Sequence, residues 1–402
     1  MQKSMSRVEF ISLIAVMFAT IAFSIDSILP ALPQIGAELT PNDVNRAQLV
    51  LTSFVLGMGL GTFFTGPLSD TFGRKRVIYV GSAIYIVASA VAWAAQSLEF
   101  LLAARVLQGI GAAAPRIVAI AIVRDLYSGR EMARIMSIAM MIFTIFPAFA
   151  PLMATGIIAL VNWRGIFLAF VLFSVVSIIW MWIRLPESLA VADRRPFRAR
   201  LLLAAVNEMF ANPTVRLTIL VQTLCLAVLF SMLTMVQQIY DIIFDQGDNF
   251  PFWFGAVALV SGSASFLNAL LVVRVGMRRM VTWSIGVMIV LSVGMLSLSM
   301  IDLPLTVYFG FFVAWQACVF FMAGTTLGNL NAIAMEPMGH IAGMAASVIG
   351  SISTVLAAII VAPIGLMFNG TLLPLTSGTC VMLIIAFILL LKMGRLEKQL
   401  AL

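Results

Sequence analysis

The chain has 402 residues, 62% of them apolar and only 10% charged, with a formal net charge of +7. No water-soluble domain needs that much apolar surface, and the apolar residues gather in runs of about 20, the length that crosses a bilayer core as a helix. The three cysteines, Cys225, Cys318 and Cys380, lie far apart in apolar runs beside a single histidine, His340. That pattern excludes a disulfide framework and a clustered metal site, and no cofactor is expected.

The N-terminal MQKSMSR followed by an apolar run has the outline of a signal peptide. No small-residue cleavage site precedes Asp26, however, and eleven further apolar runs follow, so it reads as an uncleaved first helix. Twelve spans are predicted, over about 9–31, 46–67, 77–96, 99–123, 133–159, 164–184, 214–239, 252–273, 280–300, 304–330, 341–367 and 371–392. The fold class is therefore an all-α membrane protein. Its expected organisation is an N-terminal bundle of six helices over 1–184, a linker over 185–213 and a C-terminal bundle of six over 214–402.

Between the second and third spans stands GPLSDTFGRKRV, Gly66 to Val77. Gly66 allows close backbone approach, Gly73 permits a turn that a side chain would hinder, and Asp70 suits the cap of the following helix. Arg74, Lys75 and Arg76 hold that turn on the cytoplasmic side. A fainter echo, RVGMRRM, lies between the eighth and ninth spans. There Gly276, Arg278 and Arg279 follow Gly73, Lys75 and Arg76 at one constant interval, as in a duplicated six-helix unit. Val273 stands where the acid would be.

With the N-terminus inside, all but four of the 24 lysines and arginines fall in cytoplasmic segments or at their edges. Arg46 and Arg164 fall outside, and Arg105 and Arg116 lie within a span. Asp241, Asp245, Asp248 and Asp302 occupy the outer side. This positive-inside distribution puts both termini in the cytoplasm and explains the positive charge without a nucleic-acid partner. In the linker, RRPFRARLLLAAVNEMF places bases and apolar residues at helical spacing. It fits an interfacial helix on the inner leaflet or, alternatively, a solvated connection.

Small residues mark expected close helix contacts: Gly57, Gly59 and Gly61; Gly109 and Gly111; and Gly343, Ser347 and Gly350. Pro147 and Pro151 remove two backbone donors one turn apart in span five, which predicts a kink or a loosened helix.

Three motifs together carry a family resemblance. They are GPLSDTFGRKRV, the span-one string SIDSILPALPQIG, and RVLQGIGAAAPR followed by VRDLYSGR in span four. The chain resembles the twelve-span drug:proton antiporters of the major facilitator superfamily, and most the bicyclomycin-resistance (Bcr/CflA) type. The resemblance implies two pseudo-symmetric six-helix bundles around a cavity that opens alternately to either side. It also implies a monomer in the bacterial cytoplasmic (inner) membrane that exports small amphipathic compounds in exchange for protons. Span five departs from the antiporter pattern, because IFPAFAPLMATG keeps its prolines but lacks the usual glycine pairs. Export of an endogenous metabolite and solute:proton symport remain alternatives. A membrane enzyme or a channel finds no support, since the chain shows neither a nucleophile–base pair nor a filter-like repeat.

Ionisable residues inside a bilayer are expensive and mark functional sites by default. Asp26 lies about 17 residues, roughly 25 Å, into span one, and Arg105 lies about 9 Å from the outer end of span four, so the two share a depth. Asp26 reads as the proton carrier or as a helix-breaking cap beside Pro30. Arg105 reads as a coupling partner or as a hydrogen-bond donor to span-one carbonyls. Arg116 lies nearer the cytoplasm and would line the inward-opening part of the cavity. By resemblance, Gly66, Asp70, Gly73 and Arg74 with Arg124 and Asp125 form a conformational latch. The second half offers Gln222, Gln237, Gln238, Tyr240, Asn268, Trp315, Gln316 and Asn329, of which Gln237, Tyr240, Trp315 and Gln316 are assigned, with Asp26, Arg105 and Arg116, to the substrate cavity.

Overall fold

The structure, a computed structural model, describes residues 5–400. The first half forms α1 (Arg7–Asp26), α2 (Leu32–Leu39), α3 (Leu49–Phe72), α4 (Arg74–Trp93), α5 (Leu98–Leu126), α6 (Gly129–Val161) and α7 (Arg164–Arg184). The second forms α8 (Ala199–Ala211), α9 (Pro213–Gln238), α10 (Phe250–Val275), α11 (Met277–Leu298), α12 (Leu305–Met335), α13 (Ala342–Leu366) and α14 (Leu373–Leu400). No strand occurs among the described residues.

Eleven helical stretches among the described residues are long and apolar enough to cross a membrane, one of them the 62-residue run Leu305–Leu366. That run holds two helices, because the 3₁₀ turn Glu336–Ile341 places Met338 at φ −110° and ψ 24°, outside helical geometry. Twelve crossings result. The expected first span does not run unbroken to residue 31. α1 ends at Asp26, and a 3₁₀ turn, Leu29–Ala31, follows before α2 resumes the helix. Pro30 and Pro33 lack the N–H that a continuous helix would need, and both sit in first turns where that loss is tolerated.

The chain folds into two compact units, Met1–Ala199 and Arg200–Leu402. In the first, α3 and α4 both pack on α5. A Cβ at Gly57 of α3 would collide with the Val106 carbonyl oxygen, and one at Gly109 of α5 would collide with that of Phe54. The two backbones touch, so no other residue fits at either position. Gly343 departs from expectation: nothing lies within 4 Å of where its Cβ would be. In the second unit α9 packs against α12, α13 and α14.

The internal echo has a structural counterpart. Gly73 separates α3 from α4 at φ +97°, and Gly276 separates α10 from α11 at φ +86°. Both use the left-handed region that glycine enters without steric cost. α6 continues through Pro147 and Pro151 for 33 residues, so the two missing donors do not end the helix. In the linker, α8 buries Leu202, Ala205 and Met209, while Leu201 and Leu203 on its other side stay exposed.

Candidate functional site

Arg105 organises the centre of the first unit. It is fully enclosed, and its guanidinium is divided among three acceptors. Nε donates to the Val50 carbonyl of α3 at 3.0 Å, and Nη2 to the Ser24 carbonyl of α1 at 3.0 Å. Nη1 donates to Gln108 Oε1 at 2.6 Å. The Phe54 ring centroid lies 4.4 Å from the guanidinium carbon, within cation–π range. Gln108 passes the chain to α4 by donating to the Ser89 hydroxyl at 2.7 Å, and Ser24 shares a hydrogen bond of 2.7 Å with Tyr85 of α4. Four helices are thus fastened by one buried network. Of the three acceptors, the Ser24 carbonyl is the one that belongs to span one.

Asp26 lies two residues beyond the Ser24 carbonyl but outside that network. It is 5% exposed, and its carboxylate makes no hydrogen bond or ion pair with the described residues. It is the last residue of α1, so the cap position next to it falls to Ser27. The Ser27 hydroxyl donates to the Ala150 carbonyl at 3.3 Å, which sets the break in span one against the proline-bearing stretch of α6.

Arg116 is half-buried on α5. Among the described residues it meets the Phe143 ring of α6, whose centroid lies 6.0 Å from the guanidinium carbon.

Where α3 ends, α4 begins and α5 ends, the charges are paired. Arg74, 3% exposed, donates to Asp70 at 2.5 Å, to the Ser69 hydroxyl at 2.7 Å and to Asp125 at 2.8 Å. Arg124 is exposed and stands outside this cluster. The expected cap is corrected here: Asp70 stays in the last turn of α3 and does not reach the N-terminus of α4. Glu187 caps that helix, accepting from the backbone N–H of Arg74 at 2.9 Å and of Lys75 at 3.1 Å. The segment bearing Glu187 is stitched down further. Ser188 donates to Asp125 at 3.0 Å, Lys75 donates to the Leu185 carbonyl at 2.6 Å, and Arg195 N–H donates to the Asp70 carbonyl at 3.0 Å. A Cβ on Gly73 would meet Arg194 and Glu187 at 2.9 Å, so the tight cover adds to the backbone reason for glycine there. Gly66 lies one turn before this cluster in α3, where Ser69 donates to its carbonyl at 2.9 Å.

In the second unit, Tyr240 sits in a π-helical turn, Ile239–Ile243, that ends α9. Such turns recur at functional positions. Its hydroxyl donates to Gln316 Oε1 at 2.8 Å, leaving Gln316 Nε2 without a partner among the described residues. Gln237, one turn earlier and 5% exposed, and Gln222 each have an unpartnered Oε1. Trp315 points elsewhere and donates to the Ser292 hydroxyl of α11 at 3.1 Å. Asn329 donates to Asn268 at 2.7 Å, and Gln238 is buried.

A sequence profile of the Major Facilitator Superfamily matches residues 13–362. The chain belongs to that superfamily. It is 26% identical over 389 residues to a bicyclomycin resistance protein homolog of Haemophilus influenzae, covering 95% of this chain and 96% of that one. Over 145 residues it is 34% identical to the multidrug resistance protein MdtL of Shigella flexneri, a match to 36% of this chain and 37% of that one. Among solved structures, a D-xylose-proton symporter superposes with a TM-score of 0.76 at 13% identity, covering 96% of this chain and 97% of that one. Superfamily membership makes the chain a multi-pass membrane transporter of small molecules, not an enzyme, and the symporter's low identity speaks to the fold alone.

Proposed function

We propose that this transporter exports small amphipathic compounds from the cytoplasm in exchange for protons, with Asp26 as the proton carrier. The observation that carries this reading is a carboxylate, 5% exposed, inside a membrane span and without a polar partner among the described residues. A structural carboxylate at that depth would have acquired a donor, since an unpaired charge in hydrocarbon is costly. The resistance-protein relatives support efflux over uptake. In the second unit, Gln237 Oε1 and Gln316 Nε2, each without a partner among the described residues, offer an acceptor and a donor suited to uncharged polar groups. In a host stripped of its own pumps, expression should raise resistance to a subset of amphipathic antibiotics, and a protonophore should abolish extrusion of a fluorescent one. Extrusion that continues with the proton gradient collapsed would sink the proposal.

The Arg74 cluster has a second role in this reading, that of the latch, keeping the inner ends of α3, α4 and α5 in one arrangement during the transport cycle. Asp70→Asn leaves Arg74 its bonds to Asp125 and Ser69. Because Asp70 is 45% exposed, the substitution should cost less than about 1 kcal/mol in stability. Transport should nevertheless fall several-fold at normal expression. Unchanged transport would reduce the motif to a topology signal.

A further inference from the structure

Three ionisable residues lie well within the spans, and the structure treats them differently. Arg105 is satisfied on three sides. Asp26 and Arg116 are not. Arg116 has a planar fork of five N–H donors, and not one meets an acceptor among the described residues. It lies with Ile117 and Ile120 on the half-buried face of α5, flanked by buried Pro115, Val118 and Ala119.

The two unpaired charges do not serve one another. Arg116 stands ten residues, about 15 Å, from the inner end of α5, whereas Asp26 stands about 28 Å from the inner end of α1. A depth difference of roughly 13 Å is far beyond an ion pair. Nor does Asp125 reach, since it lies nine residues further along the same helix and is engaged by Arg74 and Ser188. Each charge therefore lacks a partner among the described residues. For a carboxylate the proton supplies one; for a guanidinium, which stays charged, an anion both fills the donor fork and neutralises the charge.

We infer that Arg116 recognises a negatively charged group of the transported compound, so that the substrates include amphipathic carboxylates. A carboxylate matches the guanidinium fork with two parallel hydrogen bonds. The Phe143 ring beside it gives apolar surface for the compound's skeleton. This inference rests on the transport reading, but its test is equilibrium binding, which needs neither a gradient nor proton coupling. An arginine that merely reached back toward the membrane surface would confer no such preference.

The probes are four amphipathic carboxylates of different skeletons, fusidate, cholate, naphthylacetate and dansyl-phenylalanine, each paired with its methyl ester. They are titrated against the purified full-length protein in nanodiscs. At least one acid should bind wild type about tenfold more tightly than its ester. Arg116→Gln should erase that preference, and Arg116→Lys should keep part of it. Thermal unfolding of each variant confirms that a folded protein is being compared. Equal affinities for acid and ester across all four pairs in the wild type would overturn the inference, as would a preference undiminished in Arg116→Gln. A preserved preference alongside failed proton coupling would remove the antiport reading and leave Arg116 in place.

Discussion

Asp26→Asn should yield a folded, membrane-inserted protein that cannot drive uphill efflux. The amide keeps the size of the side chain, and because the carboxylate has no partner among the described residues, no hydrogen bond to them is broken. The change removes only the group that binds and releases a proton. Resistance conferred by the variant should drop to that of an empty vector, while downhill exchange of a labelled compound persists. Asp26→Glu lengthens the side chain by one methylene at a position with almost no free surface, so partial activity with an altered pH profile is expected. Wild-type resistance together with wild-type proton release in Asp26→Asn would eliminate this residue as the carrier.

Arg105→Leu should have the largest effect on stability. It strips a donor from the Ser24 carbonyl and from Gln108 Oε1, and one of two from the Val50 carbonyl, which keeps the Ser53 hydroxyl at 3.3 Å. Leaving buried polar atoms unpaired costs about 1–3 kcal/mol each. The unfolding temperature in detergent should fall sharply, and expression with it. Arg105→Lys offers one ammonium where three directions must be served, so it should recover only part of the loss. A variant that kept wild-type stability but lost transport would move Arg105 from scaffold to coupling.

Much of the fold was legible because span length and apolar run length obey the same physical limit. The turn at Gly73 was legible for a similarly local reason, a glycine followed by three bases between two apolar runs. The sharing of depth between Asp26 and Arg105 could also be counted from the sequence. What it meant could not, because the acceptors that claim Arg105 are mainly backbone carbonyls, which no sequence displays. Glu187 escaped for another reason: it caps a helix 113 residues earlier in the chain, and nothing local to LPES marks that contact. Asp70 had the right residue type for the cap, but a helix that continues through it left the position to a distant chain segment. The break after Asp26 was foreshadowed by Pro30 and Pro33. The buried, unpartnered state of Asp26 emerged only once the packing of α1 and the Ser27 contact to α6 were known. The unpartnered Gln237 Oε1 and Gln316 Nε2 likewise depend on which rotamers the second unit allows.

Compound and proton should move in opposite directions through this protein, and purified protein in sealed liposomes, with a pH-sensitive dye inside and no imposed pH gradient, makes both fluxes visible. A concentration gradient of a transported antibiotic should drive protons against the direction of antibiotic flux, at a rate that vanishes in Asp26→Asn. Protons moving in the same direction as the antibiotic, or antibiotic flux with no proton movement at all, would rule out antiport.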